Sequence, residues 1–269
     1  LFRVDDADSA TRKAREMLAK LGLKKAEDLQ KVPAADLLKA GRGGGLMGAS
    51  PVVDGRSLTR QPWDPTAPDL SAGVPMIIGN CKDEATLFTL QDESLFKLDD
   101  AGLRAALVKA RVPAERVDAL IALYRRNHPK ESPSDLFFRI SADRGARWNA
   151  ARQAELKLAQ GQANVYVYYF QWNTPCVGGR IRAFHTADLP LTMRLVRYPE
   201  SEQLSRQLSG AWAAFARNGS PGRKELAWPA YTVPGRATMV FDAAESRAVN
   251  DPDREERILV RDLPSGSLL

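Results

Sequence analysis

Residues 74–88 read Val-Pro-Met-Ile-Ile-Gly-Asn-Cys-Lys-Asp-Glu-Ala-Thr-Leu-Phe, and the reading of the fold turns on them. Pro75-Met76-Ile77-Ile78-Gly79 is a short, continuous apolar run bounded by turn residues, which suits a strand buried on both faces. An acidic pair, Asp83-Glu84, follows directly, and Asp83 to Leu90 can start a helix. In an open α/β sheet the carboxyl ends of the strands border a crevice. A carboxylate placed there can be held by backbone donors and by a histidine.

Downstream, Val165-Tyr-Val-Tyr-Tyr-Phe170 is entirely β-branched or aromatic and predicts a second strand. Beyond it come Gly178-Gly179 and then Phe184-His185-Thr-Ala-Asp188-Leu-Pro190, which puts a histidine past a strand's carboxyl end as well. A histidine in that position can shuttle protons near neutral pH if a carboxylate fixes its tautomer. Taken singly, Glu84 reads as a solvated carboxylate at a helix start and His185 as a structural histidine. Thr238-Met239-Val240-Phe241 is the last strand candidate.

Between the strands the spacing is helical. Ala14, Met17, Leu18 and Leu21 share a face that Gly22 terminates, and Asp36-Leu37-Leu38 closes a second short helix. Gly41 to Gly48 reads as a loop, and residues 51–74 as an irregular connection. Val117, Leu120, Ile121 and Tyr124 mark a helix with Pro113 at its first turn. Ser132-Pro-Ser-Asp135 starts another that runs toward Ala159. Leu204, Leu208, Ala211, Trp212 and Phe215 form one face of a helix ended by Gly219, and are expected in the core. The class is therefore α/β with a mostly parallel sheet and helical insertions. Three strands in 269 residues is few, and a sheet so narrow reads as part of a larger one.

Composition narrows the rest. The apolar and charged fractions, 44% and 27%, are those of a globular domain, and no stretch approaches the roughly 20 apolar residues of a membrane span. The net charge of +6 is spread over basic residues interleaved with acids, without a basic stripe carrying stacking aromatics, so nucleic acid is not an expected partner. Two cysteines, Cys81 and Cys176, fit two free thiols better than a disulfide scaffold, and two histidines with two cysteines do not suggest a zinc cluster. Cys81 reads as a small buried residue and His128 as the polar end of a helix.

Five segments in order resemble the type B carboxylesterases, the group of the bacterial para-nitrobenzyl esterases and the cholinesterases. They are Pro51-Val-Val-Asp-Gly55, Pro75 to Phe88, Val165 to Asp188, Trp212-Ala-Ala-Phe-Ala-Arg-Asn-Gly-Ser-Pro221 and Trp228-Pro-Ala-Tyr231. The resemblance covers nearly the whole chain and implies the C-terminal part of an α/β-hydrolase fold. It implies a single domain over residues 1–269 with a helical cap-type insertion at about 92–160. It makes Glu84 the acid and His185 the base of a serine hydrolase triad acting on small-molecule carboxylic esters. Asp188 would support the pair from behind, and Leu87 and Phe88 would line the acyl pocket. No metal or organic cofactor is implied.

The departures from the family pattern are as informative. The chain contains no Gly-x-Ser-x-Gly nucleophile elbow, and neither His128 nor His185 precedes the glycines of an oxyanion-hole segment. In the family both lie upstream, so the expectation is a chain that lacks the N-terminal half, is inactive by itself, and acts with that half, whether joined to it or as a separate chain. A non-catalytic cholinesterase-like adhesion module is the alternative, and retention of both Glu84 and His185 argues against it.

Overall fold

The structure, a computed structural model, describes residues 3–41 and 50–264. They form two compact units, one up to Pro68 and one from Asp69. Among the described residues no helix is long and apolar enough to cross a membrane.

In the first unit, β1 (Asp5–Asp6) leads into α1 (Ala7–Lys20). The Asp6 side chain caps α1 by accepting from the Ser9 N–H, satisfying one of the donors a helix start leaves open. Gly22, at φ +67, lets the chain turn away after Leu21. A 3-10 turn and α2 (Ala34–Gly41) follow, and β2 (Val52–Val53) pairs in parallel with β1. Gly41 is the last residue of α2, so the expected loop does not begin there; the rest of that glycine run lies outside the described residues. The strand pair β1–β2 was not expected either, because two-residue strands carry no periodicity to read.

The second unit is built on a four-stranded sheet in the order β3 (Met76–Cys81), β4 (Val165–Phe170), β5 (Ala237–Phe241), β6 (Arg247–Asn250). The first three strands are parallel and the last is antiparallel to β5. Met76 pairs with Val165 and Cys81 with Phe170, so β3 and β4 end level at their carboxyl ends. That level ending places the turn at Cys81–Glu84 beside the chain that leaves Phe170. Gly79 makes the close pairing possible, since a Cβ there would stand 2.3 Å from the Tyr168 carbonyl and 2.4 Å from its ring. The strand missing from the three-strand reading is β6. Its sequence, Arg-Ala-Val-Asn, is mostly exposed at the sheet edge and carries no apolar alternation.

Helices fill the connection from β3 to β4. After α3 (Ala85–Phe88), a single turn rather than a longer helix toward Leu90, come α4 (Asp100–Lys109) and α5 (Ala114–Asn127). Then α6 (Pro133–Ala142) begins in a reciprocal capping box between Ser132 and Asp135. It runs through a π-helical segment, Asp143–Arg147, into α7 (Trp148–Leu158). The helical stretch toward Ala159 is therefore interrupted. Leu103, Leu107, Val117, Leu120, Leu136 and Ile140 make one buried cluster among these helices.

On the far side of β4, α8 (Asp188–Thr192) and α9 (Glu202–Asn218) pack together, and Gly219 ends α9 at φ +70. Tyr166, Phe170, Leu204, Leu208, Trp228 and Phe241 form the core between α9 and the sheet. Trp212 and Phe215 pack against that core partly buried. After β6 the chain closes with α10 (Arg254–Val260).

Candidate active site

The site is assembled where β3 and β4 end. Lys82 N–H donates to the Phe170 carbonyl and Asp83 N–H to the Ala183 carbonyl, both at 2.9 Å, so the turn after β3 is laced to the segment preceding His185. Within the turn the Cys81 N–H donates to Glu84 Oε1 at 2.7 Å. This bond folds the Glu84 side chain back over the strand end, and Oε2 then lies 2.5 Å from His185 Nδ1. A carboxylate only accepts, so the proton of that bond sits on Nδ1 and Nε2 is left free for chemistry.

The acidic pair divides its labour. Asp83 is turned the other way: its Oδ2 accepts from the Ala183 N–H at 3.3 Å and stands 3.6 Å from Lys82 Nζ. Glu84 is 5% exposed, whereas the His185 side chain is 40% exposed, so a buried carboxylate holds an imidazole that still reaches the surface. Burial lifts the Glu84 carboxyl above its usual range, against the Cys81 N–H and His185, which favour its ionised form.

Asp188, the first residue of α8, is buried, and its side chain bonds to Tyr168 and Cys81 and not to His185. Its Oδ2 accepts from the Tyr168 hydroxyl at 2.8 Å, and the Cys81 thiol lies 3.6 Å from Oδ1. Asp188 therefore belongs to the pair electrostatically, as a neighbouring anion that raises Glu84 further. Burial first, and Asp188 and Glu84 after it, push the Cys81 thiol far up, so it remains a neutral donor. The same causes, burial and then Asp188, raise the Tyr168 hydroxyl.

The Phe88 ring lies against the His185 imidazole, centroids 5.0 Å apart at 42°, and is 40% exposed. Leu87 is half-buried in the same turn, α3. Cys81 is the small buried residue expected from sequence, but the bonds of its backbone N–H and thiol were not foreseen, and Tyr168 looks like any aromatic strand residue. Gly79 opposite Tyr168 is the trace such an arrangement leaves. Cys176 is a separate free thiol, 3.6 Å from the Tyr198 hydroxyl.

A mostly parallel sheet with a carboxylate–imidazole pair beyond the carboxyl ends of two adjacent parallel strands fits an α/β-hydrolase framework. The chain belongs to the Carboxylesterase family, which matches residues 5–258. It is 31% identical to para-nitrobenzyl esterase of Bacillus subtilis (strain 168) over 256 residues, covering 89% of this chain and 48% of that protein. It is 28% identical to cocaine esterase of Homo sapiens over 209 residues, covering 67% of this chain and 36% of the other. A solved structure of a Geobacillus stearothermophilus carboxylesterase at pH 6.2 is similar with a TM-score of 0.74 and 33% identity, over 95% of this chain and 55% of that one. The chain thus spans about half the length, or less, of the curated relatives it matches.

Proposed function

We propose that the chain supplies the acid and base of a serine carboxylic ester hydrolase, Glu84 and His185, to a nucleophile carried by residues outside this sequence. The observation behind the reading is the 2.5 Å contact from a buried carboxylate to a half-exposed imidazole. In the reaction, the serine attacks the ester carbonyl while His185 Nε2 takes its proton. Glu84 stabilises the imidazolium, which then returns the proton to the leaving alcohol. Phe88 and Leu87 border the acyl side, and Asp188 holds the electrostatics of the acid from behind.

The same reading treats residues 1–269 as part of one hydrolase domain, with the helices of about 92–160 as a cap. The family match crosses both compact units, which supports this. Among the described residues β3 pairs on one side only, and Met76, Ile77 and Ile78 are incompletely buried. An apolar parallel strand left at an edge is what a sheet continued by the serine-bearing half would leave. That half is the proposed partner, whether on the same polypeptide or on another. A non-catalytic binding module would leave the Glu84–His185 contact without a purpose.

The test is hydrolysis of a para-nitrophenyl ester by the chain alone and by the chain joined to the serine-bearing half of the Bacillus subtilis relative. The chain alone is expected to be silent and the joined protein active. Glu84→Gln should then lower turnover by about 10⁴-fold, as loss of a triad carboxylate does. Turnover of the joined protein that survives Glu84→Gln would remove Glu84 from the mechanism.

A further inference from the structure

We propose that His128, Asp253 and Glu256 form a binding site for a divalent transition-metal ion of the zinc type, tying the end of α5 to α10. His128 caps the C-terminus of α5, while Asp253 precedes α10 and Glu256 lies in its first turn. Each offers one nitrogen or oxygen, and the three atoms lie within 4.8 Å of one another. One imidazole nitrogen and two carboxylates are the donors zinc accepts, at about 2.0–2.2 Å, with a further position left for water.

Glu256 carries the argument. It is 0% exposed, yet no arginine or lysine reaches its carboxylate among the described residues. Its Oε1 meets His128 Nε2 at 2.6 Å and accepts from Asn127 Nδ2 at 3.0 Å. Its Oε2, buried one carboxylate's width from that bond, has no hydrogen-bond partner among the described residues. Buried carboxylates are otherwise paired with cations or bound to metals.

The local charge leaves room for an ion. Three carboxylates meet here, and the Arg147 guanidinium contacts two of them, Asp143 at 3.2 Å and Asp253 at 3.0 Å, leaving Glu256 aside. Arg147 takes Oδ2 of Asp253, so Oδ1 remains for a ligand. The side chains of His128 and Asp253 are 15% and 25% exposed, which gives an ion a way in from solvent. Ligation through Nε2 displaces the proton shared with Glu256. From a neutral imidazole it moves to Nδ1; from an imidazolium it leaves to water. The histidine and cysteine count argued against a zinc cluster, but carboxylates supply two of the three donors here. No residue of the Glu84–His185 pair takes part, so the inference stands apart from the proposed esterase function.

The chain has two histidines, His128 and His185, so a proton NMR titration with Zn²⁺ reads the site directly. The expected result is that one equivalent shifts the His128 ring signals, leaves those of His185 in place, and raises the melting temperature. Asp253→Asn, at a partly exposed position, should weaken Zn²⁺ binding at least about tenfold, since even residues behind the ligands contribute that much. The proposal is overturned if His128 does not respond, if His185 responds in its place, or if Asp253→Asn binds Zn²⁺ as tightly as the unaltered chain. Should that variant fail to fold, the titration of the unaltered chain decides alone.

Discussion

The Tyr168 hydroxyl donates to Asp188 Oδ2 at 2.8 Å, and the Cys81 thiol faces the other oxygen at 3.6 Å, so a buried anion is held beside the Glu84–His185 pair by two neutral donors. Neither donor can neutralise it. Tyr168→Phe removes the better of the two and leaves the carboxylate short of a partner, which costs about 1–3 kcal/mol or more for a charged group. Urea unfolding should show that loss. Combining Tyr168→Phe with Asp188→Asn should cost less than the two singly, because the groups are in contact. Additive losses would mean that the hydroxyl does not serve Asp188.

Gly79 is the counterpart of Tyr168 on the neighbouring strand. Gly79→Ala drives a methyl group into the Tyr168 carbonyl and ring, and overpacking of this kind costs roughly 1–3 kcal/mol, more where backbone must move. Gly73→Ala is the matched control, because nothing lies within 4 Å of a Cβ there. Denaturation midpoints should separate the two variants clearly. Equal midpoints would show that β3 and β4 have slack at this position.

Stability and pH are linked through Glu84. Its carboxyl sits above the ordinary value of 4.5, because burial outweighs its hydrogen bonds. The folded state therefore holds the proton more tightly than the unfolded state. Below the unfolded value both states are protonated and nothing is lost; as pH rises through the window up to the folded value, the buried charge erodes stability. Glu84→Gln lacks that burden. Its melting temperature relative to the unaltered chain should be higher at pH 7.5 than at pH 4. A difference that is flat or falls with pH would mean that Glu84 is not strained by its burial.

Phe88 lies against the imidazole and is 40% exposed, so its truncation removes little core. In the chain joined to the serine-bearing half of the Bacillus subtilis relative, the proposed function predicts that Phe88→Ala lowers turnover severalfold while stability changes by less than about 0.5 kcal/mol, as at other surface positions. Phe88→Tyr, which keeps a ring in place, should restore most of the rate. A loss of rate that tracked melting temperature in both variants would assign Phe88 to packing alone.

The parts of the fold legible in sequence are those where one signal dominates. Val165–Phe170 has only bulky strand formers, Ser132-Pro-Ser-Asp135 has a complete capping box, and Gly219 follows a sustained apolar face. What escaped reading has no such signal. The edge strand β6 is polar because water covers it, and α3 is a single turn closed at Thr89, whose N–H and hydroxyl both return to the Ala85 carbonyl. The π segment at Asp143–Arg147 arises where Arg144 turns inward to reach the carbonyls of Ala110 and Pro264, partners remote in the chain. At the site, Glu84 and His185 were legible through the segments around them. The thiol of Cys81, the hydroxyl of Tyr168 and the pairing of His128 with Glu256 were not, since each depends on who the neighbour is.

Because the Asp83 N–H donates to the Ala183 carbonyl beside the level ends of β3 and β4, the approach of Glu84 to His185 is fixed by backbone pairing at the site and not by the length of polypeptide joining the two strands. The turns joining α4, α5 and α6 can therefore change length without stretching the Glu84–His185 contact, whereas α6 itself is bound to the site, because its Asp135 pairs with Arg182 three residues before His185 and Ala85 packs into the helix cluster beside Glu84.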